Sequence, residues 1–362
     1  MTNDWQQSLT NLKAFIKEHP EVIIENNRTI IPEEVRFEFY RLFDETRQYF
    51  VLEAAPQLIK DAKPLALSFN EIITQIERLL PLKSFDIPGA IKWFTDDPIN
   101  GLIRMLWAPV FDLLQAKTDI DVFKINESVE IRQVYSSLMH ECYADWLELA
   151  MIKQLQAKHL LRVNAPTITG SFGHAQGSVM HLALNSVMPP EESDELSLVR
   201  NFSMVSFGVP DFIVYSAELG EYVSVKTELQ KARWIASDAS LDREWLPIEN
   251  EKNIFGSGYL LIYVDSNPLN LALVNDVNRI CRPDILLEFR EQENWYSASE
   301  MQTIRTHHDI FKPRLGTFVA SREELTGDLS QESESNIQFI NVGTNDNQIC
   351  VLVNTLKTVA SK

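Results

Sequence analysis

Residues Val209 to Leu229 read VPDFIVYSAELGEYVSVKTEL, and the reading of this stretch decides how the second half of the chain folds. Pro210-Asp211 opens Phe212–Tyr215, a run of aromatic and β-branched residues; Glu218-Leu219-Gly220 supplies turn residues, and Tyr222–Leu229 returns to the strand pattern. A β-hairpin is expected. Strand alternation puts Val223 and Val225 on one face, and Ser224, Lys226 and Glu228 on the other. With Asp211 beside that polar face, the hairpin gathers a carboxylate, an ammonium and a second carboxylate. Such a set binds a hard divalent cation and poises a water beside a lysine, as metal-dependent phosphodiester cleavage requires.

Outward from the hairpin, the chain divides by its glycines. Of 12 glycines in 362 residues only Gly89 and Gly101 precede residue 170. Glycine marks turns, so a long stretch nearly without it is more easily built from helices than from hairpins. An all-helical N-terminal domain is expected over 1–165, and an α/β domain with a mixed sheet over 166–362. Its helices are expected from Glu33 to before Pro56, from Ser68 to Leu80, across Ile99–Gln115, and from Val134 to Leu160. Beyond the boundary, strand-like runs recur at Ser203–Phe207, Phe212–Tyr215, Tyr222–Leu229, Tyr259–Val264, Leu271–Val274, Asp284–Phe289, Thr317–Ala320, Ile337–Val342 and Ile349–Val353. A helical segment, Ser297–Phe311, lies among them and favours an α/β sheet over a sandwich. Met188–Glu195 and an acidic stretch at 321–336 are expected to be loops.

The sequence holds 51 acidic and 33 basic residues, a formal charge of −18. Residues 1–170 carry 18 basic and 24 acidic side chains, so most of the excess falls in the α/β part. Acidity repels phosphate backbones unless basic residues gather on one face, and it disfavours nucleic acid as a partner. Cys142, Cys281 and Cys350 lie far apart with no CxxC pair, which fits a reducing cytoplasm rather than a disulfide framework. The first residues carry no basic-then-apolar signal, and charges and prolines interrupt the most apolar stretch, Ile91–Leu114, so neither a secretory signal nor a membrane span is expected.

Missing motifs narrow the chemistry further. There is no GxxxxGK[ST] loop, no GxGxxG after a strand and no GxSxG elbow. Gly170, Gly173 and Gly177 have the spacing of turns. His140-Glu141 begins like a zincin helix, but Ala144 stands where the second histidine belongs. Adjacent helical residues point about 100° apart, so His307-His308-Asp309 is expected to be solvated or to cap its helix.

The 210–226 segment resembles the PD-(D/E)XK nuclease superfamily, the restriction-endonuclease-like fold. Pro210-Asp211 matches the PD element, and Ser224-Val225-Lys226 stands in the place of the (D/E)XK triplet. The resemblance implies Asp211 as a metal ligand, Lys226 as the residue assisting the nucleophilic water, and Mg2+ as the ion. It also implies a core helix over Gln230–Ala239 before the strand Tyr259–Val264. Ser224 departs from the pattern, because a neutral hydroxyl replaces the second acid. Glu228, two residues past Lys226 on the same face, or a glutamate from an earlier helix, is the expected substitute, giving Asp211, Lys226 and Glu228 as catalytic residues and Asp211 with Glu228 on the metal. Pro283-Asp284 repeats the dipeptide before a strand with no lysine triplet after it.

Two functional readings follow. With the acid missing at 224, the chain is a degenerate PD-(D/E)XK-like protein acting mainly as a binding or scaffold component of a cytoplasmic assembly. A partner protein or a second copy would dock on helical surfaces carrying Trp93, Trp107 and Phe111. Alternatively it is an active Mg2+-dependent nuclease on DNA or RNA, with Lys231 and Arg233 as phosphate contacts.

Overall fold

The computed structural model describes residues 4–25, 28–163, 182–184, 189–200, 208–229, 235–237, 242–248, 254, 258–276, 279–292, 295–324 and 336–360. They belong to two compact units, one of Met1–Asn70 and Pro88–Cys142, the other of Glu71–Ile87 and Tyr143–Lys362. Between these units the last crossing of the chain falls after Cys142.

The first unit is built mainly from helices: α1 (Trp5–Glu18), α2 (Glu33–Ala54), α3 (Leu58–Leu79, continuing into the second unit), α4 (Gly89–Asp96), α5 (Pro98–Ile103), α6 (Trp107–Leu114) and the start of α7 (Ile120–Gln154). Asp4 caps α1 by accepting from Gln6 N at 2.9 Å. α2 follows Pro32, carries Glu33 and Glu34 in its first turn, where acids suit the helix dipole, and ends before Pro56 as expected. The core is aromatic: Trp5 meets Phe50 edge-on at 4.9 Å, and Phe43 and Phe111 approach to 4.7 Å. Two corrections apply. Ile23–Glu25 and Arg28–Ile30 pair antiparallel, so this part is not all helix. The Ile99–Gln115 region breaks at a 3-10 turn, Arg104–Leu106. Pro109 explains the break, since it has no N–H for the carbonyl four residues back and its ring clashes there. α3 and α7 both begin earlier than the pattern suggests.

The second unit is organised on an eight-stranded mixed sheet: β1 (Ala157–Arg162), β2 (Glu191–Ser193), β3 (Phe212–Ser216), β4 (Glu221–Thr227), β5 (Tyr259–Asp265), β6 (Ile285–Arg290), β7 (Thr317–Ser321) and β8 (Ile337–Asn341). Its order is β8-β7-β6-β5-β4-β3-β1-β2. β6, β7 and β8 run parallel to one another and every other neighbouring pair is antiparallel. Parallel neighbours need a crossover, which α8 (Ala298–Phe311) supplies between β6 and β7. All residues of β6 and β7 and the first six of β5 are buried, so the middle of the sheet is covered on both faces. That explains unbroken apolar runs such as Leu260-Leu261-Ile262.

Several expectations are overturned. Ile349–Val353 is not a strand: a 3-10 turn over Asp346–Ile349 leads into α9 (Cys350–Ala360), and Asn345 caps it by accepting from Asn347 N at 3.2 Å. Leu271 closes another 3-10 turn, started by Pro268 and capped by Asn267. Within the expected 188–195 loop, Glu191–Ser193 forms the charged edge strand β2, and Glu195–Ser197 pairs parallel with Ser84–Asp86. Ile235–Ser237, placed in a core helix by the resemblance, is a strand paired parallel with Leu182–Leu184. His307 is buried rather than solvated, its Nδ1 2.7 Å from Glu288 Oε1. Ser203–Phe207, Gly170–Gly177 and residues 325–335 of the acidic stretch lie outside the described residues. No helix among the described residues is long and apolar enough to cross a membrane, and the three cysteines are free thiols.

Candidate functional site

The hairpin forms as its sequence dictates. Gly220 takes a φ of 72° at the end of the Ala217–Gly220 turn, and its N–H donates to Ser216 O at 2.9 Å. Pairing of Ile213 with Ser224 and of Phe212 with Val225 sets the register. It carries Asp211, just ahead of β3, to the C-terminal end of β4. There Asp211 N donates to Val225 O at 2.8 Å, Asp211 Oδ2 accepts from Thr227 N at 2.5 Å, and Oδ1 accepts from Lys226 Nζ at 2.7 Å. The two side chains are only 12% and 14% exposed, so this is no screened surface pair.

Neither expected second acid position behaves as a simple strand would have it. Ser224 is fully buried and its Oγ has no hydrogen-bond partner. Glu228 has a φ of 46°, which ends the strand alternation, and its Oε1 accepts from Gly258 N at 2.7 Å. Its carboxylate is thus tied to the start of β5, although the residue still lines the cavity described below.

The carboxylate that does join Asp211 comes from α7. Every residue from Cys142 to Ile152 is buried, and among them Asp145 and Glu148, three apart, share a helix face. Thr227 Oγ1 donates a short hydrogen bond to Glu148 Oε1, so one residue ties both Asp211, through its N–H, and Glu148, through its hydroxyl. Arg200 Nη2 lies 2.9 Å from Asp145 Oδ1 and 3.5 Å from Glu148 Oε1. Glu148, Arg200, Asp211, Lys226, Thr227 and Glu228 together line one cavity of about 580 Å3 within the second unit.

Burial and the crowding of acids set the electrostatics of this place. Burial, and next the negative charge of Asp211, push the Glu148 carboxyl up to about 7, against the opposing pulls of Arg200, the Thr227 hydroxyl and Lys226. For Arg200 burial works against the charge, but the carboxylates of Glu148, Asp145, Asp211 and Glu228 outweigh it and hold the guanidinium above its ordinary range. Among the described residues, four acids and two cations are thus gathered here.

Mg2+ retains several of its waters and binds through one or two carboxylates plus substrate phosphate, and Glu148 and Asp211 are two carboxylates of this cavity that could hold such an ion. No group of three or more His, Cys, Asp or Glu side chains able to hold a metal occurs among the described residues. Lys231 and Arg233, the expected phosphate contacts, lie outside them.

Pattern reading named Asp211 and Lys226, left the helical glutamate without a position, and missed Asp145 and Arg200. A signal for the two acids was present: Asp145 and Glu148 interrupt an otherwise apolar helical run, and a buried acid needs a reason where an exposed one does not. Arg200 had no such signal. Comparison with known proteins returned no matching family model, no similar curated protein and no similar solved structure.

Proposed function

We propose that the second unit carries a metal-dependent phosphodiesterase site of the restriction-endonuclease-like kind, with a nucleic-acid strand as substrate. Glu148 takes the place of the acid absent at Ser224. The observation that carries this reading is the shared anchoring of Glu148 and Asp211 on Thr227, with Lys226 bound to Asp211. Glu148 and Asp211 would hold the ion, Mg2+ or Mn2+, which supplies charge for the phosphate oxygens and for an attacking water. Lys226 is the donor that orients that water and offsets negative charge as the P–O ester bond breaks. Asp211 keeps the ammonium in place, and Thr227 fixes both carboxylates. The net acidity of the chain makes binding depend on this local site rather than on a broad basic face.

A second reading, a binding or scaffold role, draws on a different observation. Trp93 and Trp107 in the first unit are 49% and 45% exposed, and Arg104 stacks on Trp93 at 4.3 Å. These residue types anchor protein partners.

Cleavage of single- and double-stranded DNA and RNA in Mn2+ or Mg2+ separates the two. The nuclease reading expects cleavage that chelator abolishes, and that Lys226→Ala and Asp211→Ala each reduce by about 100-fold or more, the usual scale for losing a preorganised charge. Cleavage that persists in both variants would rule out the assigned residues; no cleavage on any substrate would leave the scaffold role.

A further inference from the structure

Arg200 is the cation around which the acids of the cavity are arranged. Asp145 and Glu148 are each 3% exposed, and an ionised carboxylate removed from water is costly unless a charge or hydrogen bonds compensate it. One guanidinium serves both. Its hold is unequal: 2.9 Å to Asp145, inside ordinary hydrogen-bond range, but 3.5 Å to Glu148, at the limit of that range. Arg200 is thus anchored on Asp145 and leans on Glu148. Glu148 has a closer partner of its own in Thr227, and Asp145 has no part in the proposed ligand pair.

We propose that Arg200 is a resident counter-cation that competes with the divalent ion for Glu148, so that its grip sets how tightly the ion binds. This rests on the assignment of Glu148 as a ligand made above. Without the ion, Arg200 bridges Asp145 and Glu148 and helps to keep the buried end of α7 folded. With the ion bound, Arg200 retains Asp145 and gives up the longer contact, which costs little because the shorter one persists. Asp145 is then a positioning residue: by holding the guanidinium to one side, it limits the competition for Glu148.

Calorimetric titration with Mn2+, paired with thermal melts in chelator and in Mn2+, tests this on the full chain. Arg200→Gln is expected to lower the melting temperature in chelator, since two buried acids lose their cation, and to regain most of that loss in Mn2+. Its Mn2+ affinity should rise about tenfold, a difference of roughly 1.4 kcal/mol. Asp145→Asn, which frees Arg200 to move fully onto Glu148, should weaken Mn2+ binding, and it serves as the decisive variant if Arg200→Gln does not fold. If wild type binds Mn2+ and these substitutions leave the affinity unchanged, or Mn2+ restores none of the lost stability, the role of Arg200 is overturned while the metal site stands. If neither wild type nor Arg200→Gln binds Mn2+, the site assignment falls and this inference with it.

Discussion

Pro210-Asp211 and Pro283-Asp284 are the same dipeptide ahead of the same kind of apolar strand, yet their aspartates sit in different surroundings. Asp284 is fully buried: its Oδ2 accepts from Arg243 Nη2 at 3.0 Å and from Val264 N at 2.8 Å, while Arg314 Nε lies 2.9 Å from Oδ1. Arg243, its side chain 2% exposed, also reaches Asp265 at 4.0 Å. Two acids therefore meet two guanidiniums, the pair Asp284 and Arg243 enclosed in the protein and Arg314 reaching in from the surface. Around Asp211, among the described residues, Glu148, Asp145 and Glu228 gather with Arg200 and Lys226, and all of these but Asp145 line one cavity. The dipeptide places a carboxylate at the mouth of a strand; its surroundings differ, one carboxylate being enclosed with guanidiniums and the other lining a cavity.

The largest expected effect is on stability at the enclosed site. Asp284→Ala leaves Arg243 buried without its closest acid and should cost about 3–5 kcal/mol in chemical denaturation. Asp211→Ala removes hydrogen bonds at the wall of a cavity and should cost about 1–2 kcal/mol. Equal losses would break the comparison.

An effect below that at Asp284, and specific in its pH dependence, is expected at Glu148. It faces Asp211, Asp145, Arg200, Lys226 and the Thr227 hydroxyl, and its carboxyl is raised from 4.5 to about 7. Between those values the folded protein holds a proton that the unfolded chain has lost, so stability falls as pH rises through that window and levels off above it. Glu148→Gln cannot titrate. Measured without metal, the stability of this variant relative to wild type should therefore improve from pH 5 to pH 8, by up to roughly 3 kcal/mol at 1.36 kcal/mol per unit. Stability curves that stay parallel would contradict the rise that burial and the charge of Asp211 impose on the Glu148 carboxyl.

Where local pattern and fold agree, the sequence was readable. Alternation and a turn glycine place β3 and β4 nearly to the residue, and the apolar runs of β5, β6 and β7 announce a sheet covered on both faces. The site was half readable for the same reason: Asp211 and Lys226 are brought together by hairpin register alone. Glu228 reaches the same cavity as Asp211 and Lys226, but its positive φ ends the strand there and alternation does not describe its carboxylate, which is bonded to Gly258 N. Glu148 and Arg200 reach Asp211 across 63 and 11 positions of sequence, respectively, through packing that no local period encodes. Ile349–Val353 failed differently, since a short β-branched run is compatible with a helix whose apolar face is buried.

The central claim is that Glu148, and not Glu228, supplies the second carboxylate beside Asp211. Mn2+ titration calorimetry on wild type, Asp211→Asn, Glu148→Gln and Glu228→Gln tests it most directly. The account predicts binding in wild type and Glu228→Gln and its loss in Asp211→Asn and Glu148→Gln; binding that survives in Glu148→Gln but disappears in Glu228→Gln would contradict it.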